Sequence, residues 1–349
     1  MWRTCALSRK WKKRASLRSS NNNRRWRSVM KLKLVFLAVA ILSLSRLDDL
    51  GAQMKELKKI RVNVFRVDAA TVAAKVRGFF AAEGLEVETT ETPNSTDQMR
   101  GLSQGKYDLV STAFDNVLAW SGREGTEMVA VAQISDKTVL PIFVRPEIKS
   151  WSDLKGKKLA ADAVDTAFAL VLRRVLLANG LDMTKGDYEL VALGATGARL
   201  DSMIKGETFA GVLNPPFDIK ALDAGMRKIG DSKEVLPDYP NTIFAVSREW
   251  SQKNRDTVLS FLRAWLKAGA WAKDPANREA AVKMVGAELK LNPKQAEASV
   301  DELSTTGNLN LPGLQIVLDL RNQFGFKLPK GDKLPVYFDA AFIDGAKGK

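Results

Sequence analysis

The side chains of this chain that could hold or transform a small molecule are aspartates, hydroxyls, amides and arginines. Histidine is absent and the one cysteine is Cys5. Without an imidazole there is no Ser-His-Asp or Cys-His nucleophile and no imidazole metal ligand. With its single thiol near the start, the body of the chain has no disulfide and no thiolate metal site. The polar residues that remain recur in short sets. These are Arg66 with Asp68, Asn94 with Ser95, Thr112 with Phe114 and Asp115, Asp162 with Thr166, Thr196, and Asn214 with Pro215. Each set follows a segment predicted as a strand and stands where a helix is predicted to open. In open α/β sheets ligands bind outside the carboxyl ends of the strands, where helix N-termini present free N–H groups. The twelve residues are therefore candidate contacts to a small solute, with Phe65, Phe168 and Phe217 as further rim aromatics. No residue is assigned a catalytic role, and no cofactor or metal is expected.

Each set also has an ordinary structural reading. Ser95 and Thr166 are good helix N-caps without any ligand. Gly194 and Gly197 can serve a tight turn, and Phe114 can belong to the core. The aspartates Asp68, Asp115, Asp162 and Asp165 sit awkwardly in an anion site, because like charges repel at moderate dielectric. Either some of them cap helices, or the solute carries an amine or a hydrogen-bonding ring. A pair of them could also act as glycosidase-type acid and base. Arg66 and Arg199 are the counter-charges for an acidic solute. Thr166→Ala and Asp115→Ala are expected to weaken solute binding with little change in Tm.

The elements that must position these groups alternate between strand and helix, the pattern of α/β lobes with helices on the sheet faces. Strands are predicted at 60–65, 85–89, 107–111 and 128–134, with helices at 72–82, 96–103 and 115–121. The logic repeats with strands at 159–161, 189–193 and 209–213, and helices at 166–178, 199–205 and from Pro215 to Gly225. From 248 onward the chain is helical, and these helices are expected to pack back on the first lobe. Two apolar segments, Ile142-Phe143-Val144 and TIFAVS at 242–247, are read as a pair of antiparallel strands by which the chain leaves one lobe and returns. Lobe I is then 53–143 plus 246–349, and lobe II is 144–245. No P-loop, GxGxxG, EF-hand or zinc spacing is found.

The net charge of +14 is localised. Of the 54 Lys and Arg, 13 fall within residues 1–52 against two acidic residues, leaving 41 basic against 38 acidic in the rest. The body is not a nucleic-acid-type basic surface. Residues 30–52 read as a signal peptide: Lys31 and Lys33 precede LVFLAVAIL, and Gly51-Ala52 offers a cleavage site before Gln53. Residues 1–29, rich in Arg, Lys, Trp and Asn, are a basic extension expected to be disordered. They are either a basic arm for anionic lipid or nucleic acid, or an artefact upstream of a true start at Met30.

DLKGKKLA at 153–160, DTAFALVLRRVLLANGL at 165–181 and RLDSMIKGETFAGVLNPP at 199–216 together resemble the second lobe of periplasmic solute-binding proteins. The resemblance spans roughly 58–342, and it is nearest to the branch serving nitrate, taurine, alkanesulfonates and thiamine-pyrimidine precursors. It implies the type 2 periplasmic binding fold: two lobes, each with a mixed, mostly parallel sheet flanked by helices, joined by a two-strand hinge. It also implies capture of a small organic solute or oxyanion in the inter-lobe cleft, with the loops named above lining it. The implied partners are the solute and an inner-membrane ABC permease with its ATPase, not nucleic acid. The implied state is a monomer in the periplasm. The alternative is a lyase-like enzyme on the same scaffold, using Asp and Tyr for acid–base chemistry.

Overall fold

Alternating apolar residues make the strands, and caps and glycines end the helices. The structure, a computed structural model, describes residues 56–348 apart from 136, 137, 216, 241 and 305. The expectations for 1–29 and 30–52 lie outside the described residues. The chain runs β1 (Lys58–Val64), α1 (Ala69–Val76), α2 (Phe79–Ala82), β2 (Leu85–Glu91), α3 (Ser95–Ser103), β3 (Leu109–Ala113), α4 (Phe114–Trp120), β4 (Met128–Gln133) and β5 (Pro141–Val144). It continues through β6 (Lys157–Ala161), α5 (Ala167–Ala178), β7 (Tyr188–Ala192), α6 (Thr196–Lys205), β8 (Ala210–Val212), α7 (Phe217–Asp223), β9 (Arg227–Asp231) and β10 (Thr242–Ser247). Helices follow: α8 (Arg248–Lys253), α9 (Arg255–Lys273), α10 (Arg278–Leu289), α11 (Pro293–Asp301), α12 (Leu311–Gln323) and α13 (Ala341–Ala346). The helix predicted over 72–82 is broken, because Gly78 adopts φ 75 between α1 and α2. That is a left-handed conformation glycine takes without steric penalty.

The strands form two five-stranded sheets, ordered β2-β1-β3-β10-β4 and β7-β6-β8-β5-β9. Within the first, β1 is parallel to β2 and β3, while β10 runs antiparallel to β3 and β4. The second repeats this: β6 is parallel to β7 and β8, while β5 runs antiparallel to β8 and β9. The fourth slot of each sheet is thus filled, against the grain, by a strand the chain delivers on crossing from the other.

This corrects the predicted pairing of Ile142–Val144 with the segment at 242–247. The two segments lie in different sheets, each between two neighbours of its own. Both are buried on both faces, so each shows a continuous apolar run that says nothing about its partner. The crossings themselves run beside these strands, and described residues of the two are hydrogen-bonded to each other. Ile134 N–H donates to Thr242 O at 2.9 Å and Thr138 N–H to Tyr239 O at 3.0 Å.

Helices α9, α10 and α11 pack on α1, on the first-sheet side, as expected. Phe261 and Trp265 of α9 meet Phe244 of β10 edge-on, at 5.2 and 5.4 Å between ring centroids, a favoured aromatic geometry. Helix α12 departs from the expectation. It packs on both α4 and α5, one following β3 of the first sheet and the other β6 of the second. Its buried stripe of Leu314, Val317 and Leu318 belongs to an apolar cluster that includes Val117 and Leu118 of α4, Val171 and Leu172 of α5, and Ile142. Among the described residues no helix is long and apolar enough to cross a membrane.

Candidate functional site

The carboxyl ends of β3 and β6 bring the predicted residues closest to one another. Asp115 stands in the first turn of α4, straight after β3, and Asp162 follows β6. Thr166 occupies the N-cap position of α5, but its hydroxyl makes no cap bond. It donates instead to Asp162 Oδ1 at 2.5 Å. Arg199, buried on α6, lies 3.8 Å from Asp162 through Nη1 and donates through Nη2 to Thr196 Oγ1 at 2.7 Å. Thr196 therefore supports an arginine. Thr112 likewise accepts from Asn116 Nδ2 at 2.8 Å, and Phe114 is in the core, 1% exposed.

The tie across the two sides was not foreseen. Arg321 of α12 donates through Nη1 to both oxygens of Asp115, at 2.8 and 2.9 Å, and to the backbone carbonyl of Asp165 at 3.0 Å. Both side chains of this ion pair are 1% exposed. Removing a carboxylate from water disfavours its charge more than Arg321 restores it, so burial pushes Asp115 up to about 6. Asp162 and Asp165 add to the rise through their own charges. Burial also raises Asp162, against the pull of Arg199 and Thr166, and it lowers Arg199 despite Asp162. Tyr239, on the second crossing, is held well above the usual tyrosine value by burial and then by the charge of Asp115.

The other predicted residues stand apart from this cluster. Arg66 pairs with Glu302 in an exposed bridge. Asp68 caps α1, accepting from Thr71 N–H at 3.0 Å and Thr71 Oγ1 at 2.6 Å, and its Oδ1 also accepts from Trp265 Nε1 at 2.9 Å. Asn94 caps α3 and bonds Asp97, and Ser95 begins that helix. At the end of β8, Asn214 offers its carbonyl to Phe217 N–H, and Pro215 is exposed. As a free acid–base pair the aspartates are poorly placed, since both oxygens of Asp115 face Arg321.

Arg321 and Tyr239 are the site residues that sequence reasoning missed. A signal for Arg321 exists: it lies seven residues after Leu314 and three after Leu318, on the buried stripe of its own helix. A charge on such a stripe needs a buried partner. Tyr239 carries no comparable mark.

The model of the family described as "NMT1/THI5 like" matches residues 67–278. YtlA of Bacillus subtilis (strain 168), provisionally named as a binding protein, is 22% identical over 219 residues. That alignment covers 60% of this chain and 64% of YtlA, so the chain spans less than two thirds of this relative. A protein of the same organism, provisionally named as binding aliphatic sulfonates, is 22% identical over 254 residues, 70% of this chain and 75% of the relative. Among solved structures, the periplasmic nitrate-binding protein NrtA from Synechocystis PCC 6803 superposes with a TM-score of 0.71 at 14% identity, over 84% of this chain and 89% of that one. At that identity the likeness speaks to the fold alone, and the two sheets described above match the type 2 periplasmic binding fold. With the family match extending over more than half of its residues, the chain belongs to the NMT1/THI5-like family.

Proposed function

We propose that this chain is the extracytoplasmic solute-binding component of an ABC-type uptake system. It would capture a small organic solute or oxyanion between its two sheets and release it to an inner-membrane permease driven by an ATPase. The observation that carries the reading is the charged cluster assembled from both sides. Asp115 follows a strand of the first sheet, Asp162 and Thr166 follow one of the second, and Arg321 bridges them. The names of the relatives, which span sulfonates and nitrate, support an anionic solute.

Closure is the mechanism this arrangement suits. The two crossings, tied to each other at Ile134–Thr242 and Thr138–Tyr239, can bend while each sheet stays whole. A solute touching both sides only when they are together stabilises the closed population by its differential contacts. No covalent step is required, and the protein acts as a monomeric carrier rather than an enzyme. Its place is the periplasm, with residues 30–52 removed on export and the solute contacts drawn from the strand-end residues of lobes 53–143 plus 246–349 and 144–245.

The test is titration of the processed protein with sulfonates, carboxylates, nitrate and pyrimidines, followed by tryptophan fluorescence and small-angle scattering. A saturable signal with a smaller radius of gyration is expected for at least one class. A folded sample that responds to none of them refutes the reading.

A further inference from the structure

Arg321 is buried along its whole side chain, and its bonds are unevenly distributed. All three acceptors, Asp115 Oδ1, Asp115 Oδ2 and the Asp165 carbonyl, sit on Nη1. Its Nε is fully buried with no partner among the described residues, and none of the described hydrogen bonds uses Nη2. These two nitrogens form the side-on edge of the guanidinium, two parallel N–H donors spaced to meet two oxygens of one anion. A buried donor left without an acceptor is costly, and in a native structure it asks for an explanation.

Arg173 and Arg199 also have a buried, unpartnered Nε. Rings cover the guanidinium faces of Arg173 (Phe324, 4.1 Å) and Arg321 (Phe326, 5.3 Å), and Arg199 uses both terminal nitrogens, on Gly194 O at 3.4 Å and Thr196 Oγ1. Arg321 differs in that one end of its guanidinium is fixed by the Asp115 carboxylate and the Asp165 carbonyl while no described hydrogen bond uses the other edge. Near Arg321 a second unused group is found. Tyr239 is 4% exposed, and none of the described hydrogen bonds reaches its hydroxyl. Tyr239 packs in the same apolar cluster as Val117 of α4 and Leu318 of α12, the helices that carry Asp115 and Arg321.

We propose, resting on the solute-binding reading above, that the side-on edge of Arg321 seats the oxyanion head of the solute. Asp115 is then a positioning residue. With the Asp165 carbonyl it grips the far end of the guanidinium and aims the free edge. Tyr239 offers its O–H to the same anion. The arrangement also resolves the aspartates that seemed out of place beside an anion, because the lone pairs of Asp115 face Arg321 and its charge is matched there. A carboxylate, a sulfonate and nitrate share the required chemistry of two adjacent anionic oxygens.

Calorimetry of the full processed chain with acetate, methanesulfonate and nitrate tests this, together with Arg321→Lys, which keeps the charge and removes the fork. Circular dichroism establishes that the variant is folded. Affinity for the bound anion is expected to fall about 10- to 100-fold. Wild-type crystals soaked with the same anion read the contact directly, whether or not the variant folds. An oxyanion within hydrogen-bond reach of Nε and Nη2 is expected. An anion seated elsewhere, or Arg321→Lys binding within twofold of wild type, overturns the assignment and leaves the solute-binding reading standing. So does a wild type that binds only neutral or cationic solutes. A wild type that binds no solute of any class overturns both.

Discussion

A single nitrogen of Arg321 bonds both carboxylate oxygens of Asp115, and the two residues stand 206 positions apart in the chain. Each of the two side chains is 1% exposed. The pair joins α12 to the first turn after β3, and through the Asp165 carbonyl it joins both to the approach to α5. It is consequently a structural tie and a polar feature of the candidate site at once.

The two halves of that tie should not be equivalent. Asp115→Asn leaves a guanidinium buried without its counter-charge, which costs about 3–5 kcal/mol when a buried pair is broken. Arg321→Met leaves a carboxyl that can take up a proton and become neutral, so its loss should be smaller. Urea unfolding of both variants at pH 7 decides the order. An equal or larger loss for Arg321→Met contradicts it. The sequence-based expectation that Asp115→Ala leaves Tm nearly unchanged is revised for the same reason: the residue is buried and paired, not a free surface carboxylate.

Asp115 should titrate near 6 by carboxyl carbon NMR, and higher still in Arg321→Met, where the attraction that holds it down is gone. Its folded value lies above its ordinary 3.8, so the folded state binds its proton more tightly than the unfolded state does. The stability from this group is therefore complete below about 3.8 and is lost as pH rises through about 6. The size is roughly 3 kcal/mol, from about two pKa units at 1.36 kcal/mol each. Subtracting the unfolding free energy of Asp115→Asn from that of wild type across pH 3.5–7 should show this decline. A flat difference argues against it.

Tyr239→Phe removes a hydroxyl that no described hydrogen bond uses. Deleting a hydroxyl without a protein partner should change stability by less than about 1 kcal/mol. The solute affinity should drop at the same time. Thermal melts and calorimetry on one sample separate the effects, and a lower Tm means that the hydroxyl has a structural partner.

Asp68→Ala should do the opposite. Asp68 caps α1 and accepts from the indole N–H of fully buried Trp265. Losing an N-cap costs about 1 kcal/mol, and leaving the indole N–H unpaired adds about 1–3 kcal/mol. Stability should fall by roughly 2–4 kcal/mol, with solute affinity retained in the folded fraction. A selective loss of affinity makes Asp68 a solute contact after all.

Much of this architecture can be read directly from the chain, and the failures have identifiable causes. Gly180, Gly206 and Gly225 stand at positive φ where helices were predicted to end, and the run from β6 to α7 falls within a residue or a turn of expectation. Strand β9 was missed because its segment, Arg227–Asp231, is short, polar and barely alternates. The site was legible as a set of loops but not as a set of roles. Thr196, Thr112 and Asp68 look like solute contacts by type and position, yet each bonds a side chain or N–H three or four residues on, and Asp68 also accepts from Trp265, 197 positions away. Arg321 was legible in principle, as a charge on an apolar stripe. Its partner was not, since nothing local relates a helix near the C-terminus to a turn two hundred residues earlier.

The strand lying between β3 and β4 bears on how the molecule folds. All five strands of the second sheet come from one unbroken run, Pro141–Asp231, whereas the first sheet receives β10 only after that run has been made. A chain stopped after β5 would hold β3 and β4 with an empty lane between them. The second half therefore carries its whole sheet in a single stretch and can assemble first, while the first half is completed only once the chain has come back through it.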